Sequence, residues 1–276
     1  MASMSSVTWR LLVTKAMDGP RNMAIDQAIM EAVTEELIPP TLRFYAWQPP
    51  CLSLGYTQPV VDVDRARLAE RGWDLVRRLT GGRAILHTDE LTYSVTVQAA
   101  NPIVAGDIVA SYRRLSQALL NGLRDLGADP QADKRASEHH ETHGPVCFEV
   151  PSHYEITVGG KKLIGSAQVR KAGAVLQHGS LPLTGDITRI CDALVYTDND
   201  ERERVRSRVV LRAATLESVL GQTVSWEQAV AAMTRSFQET FDLEFTSSNA
   251  LTADELRRAE ELRTQQYATE AWNARF

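Results

Sequence analysis

The stretch from Trp73 to His87 reads WDLVRRLTGGRAILH, and the fold turns on how it is parsed. Trp73 to Arg78 suits a strand, Thr80-Gly81-Gly82-Arg83 interrupts it, and Ala84 to His87 resumes an extended pattern that Leu91 to Val97 continues beyond a few polar residues. Consecutive glycines between strands permit positive φ and let backbone amides approach a ligand with no side chain in the way. The unit is a strand, a glycine loop and a strand, able to wrap a cofactor or an acyl chain. A glycine pair is also the ordinary chemistry of a plain turn, and basic flanks are commonly solvated, so the loop must be weighed with the rest of the chain. His87 taken alone is more commonly a surface or hydrogen-bonded strand residue than a catalyst.

Upstream, Val7 to Thr14 alternates as a strand. Ile25, Ile29, Val33 and Leu37 then recur every fourth residue in a helix opening near Asn22 and stopped by Pro39 and Pro40. Thr41 to Trp47 is a further strand ending at Pro49 and Pro50, and Pro59 to Arg71 fits a turn and a short helix from about Asp62. Downstream, Ile108, Tyr112, Leu115, Leu119, Leu123 and Leu126 share one stripe of the longest helix, between Gly106 and Gly127, and Gly127 suits the C′ position. Asp129 to Gly144 reads as a polar surface loop. Tyr154 to Val158 and Lys161 to Ile164 form a hairpin about Gly159-Gly160, and Ala167 to Arg170 and Val175 to Leu181 extend the meander.

After Asp186 the pattern is helical, with a short Ile187 to Leu194 segment, a charged surface stretch at Asn199 to Arg208, and a helix from Thr215 closed by Gly221. Capping boxes at Ser225/Gln228 and Thr252/Glu255 open the last helices. Strands mixed with segregated helices predict a mixed α/β (α+β) fold, with helices on a central sheet. One catalytic domain over residues 1–276 is expected, its C-terminal helical segment at about 225–272 packed upon it.

Composition narrows the function. Of the 276 residues 43% are hydrophobic and 24% charged, ordinary globular usage, and the longest apolar runs fall far short of the roughly 20 residues that span a bilayer. No membrane segment and no secretory signal are expected, so the expected compartment is the cytoplasm. A net charge of −5 offers no general attraction for phosphates, which excludes nucleic acid as an expected partner. Three cysteines, Cys51, Cys147 and Cys191, are too few and odd in number for a disulfide framework.

Cys147 stands between a polar, histidine-rich loop and a strand, bracketed by Pro145 and Pro151, a setting that suits an accessible and rigidly placed nucleophile. Cationic neighbours would favour its thiolate. On position alone an idle thiol is the commoner outcome, and Cys51 and Cys191 fit that description better. His139, His140, His143 and Cys147 could supply three nitrogens and a sulfur, yet the adjacent histidines match no compact zinc spacing, so no metal is expected. In Lys161-Lys162-Leu163-Ile164, alternation points one lysine inward, where it needs an anionic partner and could stabilise an oxyanion or hold a carboxylate. Two solvated lysines on a hairpin tip fit equally well.

Taken in order, Arg77 to His87, Cys147 to Glu155 and Lys162 to Gln168, together with Gly19 to Asp26 and Leu42 to Gln58, resemble the lipoate ligase and octanoyltransferase family of the biotin and lipoate protein ligase superfamily. The likeness runs over about residues 7 to 272. It is nearest to the branch of cysteine-dependent octanoyltransferases that act on the glycine cleavage H protein. The resemblance implies the mixed α/β catalytic domain shared with biotin protein ligase, whose central sheet holds an acyl chain in a tunnel. By it Arg77, Thr80, Gly81, Gly82, Arg83, His87, Gly165, Ser166 and Ala167 bind substrate, Lys162 contacts the acyl carbonyl and Cys147 carries the acyl group. Arg83 stands where ATP-dependent ligases usually have a third glycine, and the chain ends near Trp272 without their small C-terminal domain; both features favour transfer over ligation. Thr88 stands where the family commonly has aspartate, which leaves the role of His87 open.

The implied reaction is ping-pong transfer of octanoyl from acyl carrier protein, through a Cys147 thioester, to a lysine of the glycine cleavage H protein or a lipoyl domain. It serves protein lipoylation and needs no cofactor and no metal. Arg77, Arg78 and Arg83 at the pocket mouth would meet an acidic carrier. A monomer is expected, since no heptad seam is left over. The alternatives are an ATP-dependent lipoate–protein ligase, in which the loop and Lys162 hold an acyl adenylate, and a non-catalytic acyl or cofactor carrier sharing the fold.

Overall fold

The computed structural model describes residues 7–133, 155–246 and 249–276. Strand β1 (Val7–Val13) leads through helix α1 (Gly19–Thr34) to β2 (Thr41–Tyr45), which lies parallel beside it. Asp18 caps α1 by accepting from Arg21 N at 2.7 Å, and Pro20 sits in the first turn, where no amide hydrogen is missed. The helix stops at Thr34 because the chain swings through Glu36 at a φ of 57° ahead of the prolines. Leu37, expected on the helical stripe, is therefore outside the helix and 68% exposed.

Next come β3 (Cys51–Leu54), α2 (Arg65–Arg71), β4 (Asp74–Arg77) and β5 (Ile85–His87), then β6 (Glu90–Gln98), α3 (Ile108–Asp125) and β7 (Gln131–Asp133). After the undescribed 134–154 the chain continues with β8 (Glu155–Val158), β9 (Lys161–Lys171) and β10 (Ala174–Pro182). It closes with α4 (Asn199–Arg212), α5 (Leu216–Leu220), α6 (Trp226–Phe241), β11 (Leu243–Phe245), α7 (Ala253–Leu262) and α8 (Glu270–Asn273). Among the described residues the strands form two sheets. The large mixed sheet has the order β11-β1-β2-β6-β10-β9-β8-β7, and the small one has the order β4-β3-β5. None of the described helices is long and apolar enough to cross a membrane.

The two faces of the large sheet differ in chemistry. On one, Leu42, Phe44, Leu91, Tyr93, Val95, Val97, Val175 and Leu181 pack with Leu115, Leu119 and Leu123 of α3 and Met233 and Phe237 of α6 in an apolar core. The other carries Thr41, Arg43, Glu90, Thr92, Ser94, Thr96, His178 and Ser180, each at most 6% exposed. Eight of the nine β6 residues are buried although their pattern alternates polar with apolar, as a half-solvated strand would. That polar face is covered by α1, itself packed on α7 through a second core, and by the small sheet.

Four local readings change. Cys51–Leu54, unread as a strand, is the centre of the small sheet, so β4 and β5 each pair with it and the glycine loop between them spans the end of β3. The charged Asn199–Arg208 stretch is a helix continuing to Arg212, because Val205 and Val209 bury one turn apart and Asp198 caps its start. Lys161–Lys171 is one strand where two were read, and Gln131–Asp133 pairs with β8 inside the expected loop. The capping boxes at Ser225/Gln228 and Thr252/Glu255 form as read, and Gly159 and Gly160 turn the hairpin with φ of 56° and 78°.

Gly55, just after β3, lies under the glycine loop so closely that a Cβ on it would sit 1.9 Å from the Gly82 carbonyl oxygen. Gly55→Ala is therefore expected to push the loop off its seat and lower stability by about 1–3 kcal/mol, the usual range for overpacking, as read by urea unfolding. Wild-type stability in that variant would show that the loop yields freely.

Candidate active site

The glycine loop is held from two sides. The Arg78 guanidinium, 3% exposed, donates through one nitrogen to Ser53 O at 2.7 Å and Ser53 Oγ at 2.6 Å. Its other nitrogen donates to Gly81 O at 3.1 Å and Arg83 O at 3.0 Å. Across the loop Thr80 Oγ1 shares a hydrogen bond of 2.7 Å with His178 Nε2 of β10, and Tyr56 N donates to Thr80 O at 2.9 Å. A run of backbone that a flexible glycine pair would leave loose is thus tied to both sheets. Gly82, at a φ of 95°, supplies the bend.

Beneath the loop lies a cavity of about 200 Å³. Its mouth is formed by Gly81, Gly82, Arg83, Ser166 and Ala167, which are exposed or half-buried, and its depth by the buried Met23, Tyr45, Trp47, Thr92, His178 and Ser180. Of the residues expected to bind substrate, Gly81, Gly82, Arg83, His87, Gly165, Ser166 and Ala167 come together on this lining. Thr80 is buried one step behind it. Arg77 is elsewhere: fully buried, it donates to the carbonyls of Gly55, Gln58 and Asn273 at 2.7–2.8 Å, pinning the chain's C-terminal end to the small sheet. Arg78 does line the cavity, but its guanidinium is bonded to Ser53, Gly81 and Arg83, and that of Arg77 to backbone carbonyls, so the expected basic mouth reduces to Arg83.

The polar groups deep in the cavity bond to one another. His87 Nδ1 meets Glu90 Oε1 at 2.6 Å, His87 Nε2 meets Ser53 Oγ at 2.7 Å, and the ring stacks on Trp47 with centroids 4.0 Å apart. Arg78 already donates to Ser53 Oγ, so the serine hydrogen points to Nε2 and the imidazole proton sits on Nδ1, toward Glu90. Trp47 Nε1 donates to Thr92 Oγ1 at 2.8 Å, Thr92 to Glu90 Oε1 at 2.5 Å, and Ser180 to Glu90 Oε2. Burial alone would raise the Glu90 pKa, but His87 and these hydroxyls hold it below the ordinary value. With both ring nitrogens engaged, His87 is placed to join the sheets rather than to exchange protons with a substrate.

The second network centres on Asp26 of α1. Arg43 donates to Asp26 Oδ1 at 2.7 Å, Ser94 to the same oxygen at 2.9 Å, and Tyr45 OH to Oδ2 at 2.9 Å. Burial pushes this carboxyl up, and Arg43, with His178, brings it below its usual range. Burial drives His178 the other way, below the ordinary histidine value, against the opposing pull of Asp26, whose Oδ2 lies 3.6 Å from Nδ1. Because the polar side chains deep in the cavity are spent on one another, its depth offers a ligand mainly carbon surface, as an acyl chain requires.

Lys162 is 3% exposed, and its Nζ donates to Glu155 Oε1 of β8 at 2.5 Å. This is the inward lysine with an anionic partner that alternation anticipated; Lys161 on the other face reaches Val210 O at 2.8 Å. Lys162 lies on the strand that carries Gly165 to Ala167 but not on the cavity lining itself. Cys147, with His139, His140 and His143, falls outside the described residues. Cys51 and Cys191 are both fully buried, which keeps either thiol away from a substrate, and burial pushes the Cys51 thiol far above its ordinary value. Among the described residues no group of three or more His, Cys, Asp or Glu could hold a metal.

Sequence reasoning missed Asp26, Arg43, Glu90, Thr92, His178 and Ser180. The available signal was charged or hydroxyl residues at every second position of otherwise apolar strands, as in TLRFY and ELTYSVTVQ.

The sequence pattern of the lipoyl protein ligase A/B catalytic domain matches residues 18–238. The chain is 45% identical to a protein named octanoyltransferase LipM from Moorella thermoacetica, over 98% of each chain. It is 38% identical to octanoyltransferase LipM from Brevibacillus brevis, over 97% of this chain and 99% of that one. Its structure resembles that of a bipartite lipoate protein ligase from Thermoplasma acidophilum, with a TM-score of 0.82 at 26% identity, covering 97% of this chain and 96% of that one. It also resembles a lipoate-protein ligase A bound with ATP, with a TM-score of 0.78 at 27% identity, covering 97% of this chain and 99% of that one.

The depressed His178 has a stability consequence. Its folded pKa lies below the unfolded value, so the unfolded chain binds the proton first and stability falls as pH drops below about 6.5. Asp26 and Glu90, held low, lose their contribution only in stronger acid. The melting temperature is expected to decline from pH 7 to pH 5, and His178→Gln should flatten that decline; a variant with the wild-type slope would assign it to another group.

Proposed function

The chain belongs to the lipoyl protein ligase A/B catalytic domain family, and from that premise we propose that it is an octanoyltransferase that moves octanoyl from acyl carrier protein to a lysine of the glycine cleavage H protein or a lipoyl domain. The observation that carries the reading is near full-length similarity to relatives named octanoyltransferase, in a chain whose glycine loop closes over a cavity whose deep polar side chains are bonded to one another. A pocket built for a nucleotide or other polar ligand would present unspent donors and acceptors; an octanoyl chain needs only apolar contact, each buried methylene contributing about 0.8 kcal/mol.

The reaction is a double displacement. The Cys147 thiolate attacks the octanoyl thioester carbonyl, a carbon–sulfur bond forms to the enzyme, and the carrier leaves as its thiolate. The acceptor lysine, as the free amine, then attacks the acyl-enzyme, a carbon–nitrogen bond forms, and Cys147 departs as thiolate while the amine proton is lost to base. Thiol exchanges for thiol in the first step, so it is nearly isoenergetic and calls for no nucleotide. The Lys162 ammonium, aimed by Glu155, stabilises the oxyanion of each tetrahedral intermediate. Gly81, Gly82, Arg83, Gly165, Ser166 and Ala167 seat the acyl chain, with Thr80 and His87 fixing the loop and the wall behind them. We take the chain as one catalytic domain acting as a cytoplasmic monomer, with α6 packed on α3 and α7 on α1. The ligase reading keeps one specific support, the likeness to a lipoate-protein ligase A bound with ATP.

Incubation with octanoyl carrier protein in the absence of ATP should add one octanoyl mass to the protein, and Cys147→Ala should abolish the adduct. An adduct that requires ATP, or none at all, would turn the assignment to the ligase. Lys162→Met, chosen to keep the buried volume, should slow acylation roughly a hundredfold to a thousandfold with the circular dichroism spectrum unchanged. Unimpaired acylation would take the lysine out of the mechanism.

A further inference from the structure

The backbone of the glycine loop carries donors and acceptors alike, yet only its acceptors are engaged. Thr80 O accepts from Tyr56 N at 2.9 Å, and Gly81 O and Arg83 O accept from the Arg78 guanidinium at 3.1 and 3.0 Å. Gly82 O is turned onto Gly55, where a Cβ would lie 1.9 Å from it. All four carbonyls of residues 80–83 thus face the protein, three through hydrogen bonds and one through contact. The amides are left over: among the described residues, none accepts a hydrogen bond from the N–H of Gly81, Gly82 or Arg83.

A plain turn needs no buried guanidinium beneath it. Here Arg78, 3% exposed, anchors one nitrogen on Ser53 of the small sheet and gathers Gly81 O and Arg83 O with the other. Burying a charge is costly unless it is bonded, so this residue is committed to the loop, and what it does there is take the carbonyls away from the rim. The backbone of that stretch of rim then presents donors alone, a preorganised setting for an oxygen that carries negative charge.

The location suits such an oxygen. Gly81, Gly82 and Arg83 stand at the cavity mouth, above a depth of mainly carbon surface. An octanoyl chain that fills the depth leaves its thioester at the mouth, beside the loop. As the Cys147 thiolate forms its bond to the carbonyl carbon, the π pair moves onto the carbonyl oxygen; as the carrier thiolate departs, the pair returns. Negative charge therefore develops and vanishes where the donors are held.

We propose that the backbone amides of the Gly81–Arg83 loop form the oxyanion site of the acyl transfer, and that Arg78 is the positioning residue that turns them outward by holding the loop's carbonyls. This rests on the transferase reading. Lys162, which is not on the cavity lining, adds positive potential, and the loop supplies the short hydrogen bonds.

The test replaces one amide N–H at a time by an ester oxygen, at residues 81, 82 and 83, by suppressing a stop codon with the matching hydroxy acid. Octanoyl adduct formation from octanoyl carrier protein is then followed by intact mass in single turnover without ATP. At least one ester should lower the maximal acylation rate roughly a hundredfold or more while the donor concentration at half-maximal rate stays within about twofold, because the charge on oxygen develops only in the transition state. Arg78→Lys keeps the buried charge but cannot reach Ser53 and both carbonyls together, and should show the same loss of rate at unchanged half-saturation. Three esters that acylate at the wild-type rate, or losses confined to half-saturation, would overturn the oxyanion site; an Arg78→Lys chain with the wild-type rate would overturn the role of the arginine. A wild-type chain that takes up no octanoyl without ATP would instead bring down the transferase reading, before any ester is compared.

Discussion

A carboxylate buried on the inner face of the large sheet governs the rest of the structure. Asp26 is 1% exposed and takes hydrogen bonds from Arg43, Tyr45 and Ser94, which come from two adjacent strands. Arg43 in turn donates to Asn22 O and Asn22 Oδ1 on the same helix, at 3.1 and 2.7 Å. Orphaning either charge costs about 3–5 kcal/mol, a large share of a typical domain's stability of about 5–15 kcal/mol, so α1 has one seat on the sheet. With α1 seated, Met23 forms part of the cavity depth and the Asp26 carboxylate lies against His178, which holds Thr80 and hence the glycine loop.

Glu90 serves the same purpose on the other side. It gathers His87 from the small sheet and Thr92 and Ser180 from the large one, while Trp47 covers the imidazole. Two buried carboxylates thus join two sheets and a helix around a space that their own hydrogen bonding leaves apolar. The arrangement explains how a face so rich in hydroxyls, imidazoles and charges can bound a cavity fit for a hydrocarbon chain: those groups are satisfied sideways, and carbon is what remains toward the space. Lys162 stands outside these networks, on the strand edge with Glu155, where a cation could serve a reacting carbonyl without disturbing the wall.

Much was legible in the linear order of residues. Local rules govern hairpin turns, caps and amphipathic stripes, so the Gly159-Gly160 hairpin, both C-terminal capping boxes and the α3 stripe could be read directly, whereas alternation left an inward Lys162 and two solvated lysines equally open until Glu155 was seen beside it. The order of motifs along the chain also grouped the glycine loop with Gly165 to Ala167, and these residues line one cavity. What escaped depends on partners distant in sequence. Arg77 and Arg78 look alike and adjacent, yet Arg77, the last residue of β4, binds the C-terminal end, while Arg78, just past it, binds the loop. Cys51–Leu54 is too short to stand out as a strand until β4 and β5 pair with it from both sides.

By itself, then, the sequence determined the mixed α/β class, the helical C-terminal part, the family and the residues of the cavity mouth, because each is encoded in local periodicity or in contiguous motifs. Tertiary structure alone decided the cavity's depth and polarity, the sharing of roles between Arg77 and Arg78, and the engagement of both His87 nitrogens. The reason is physical: a polar side chain at every second position of a strand reads as solvent-facing until a second layer covers it. Only the covering layer, here α1 and the small sheet, supplies the partners that turn an apparent wet face into a buried one.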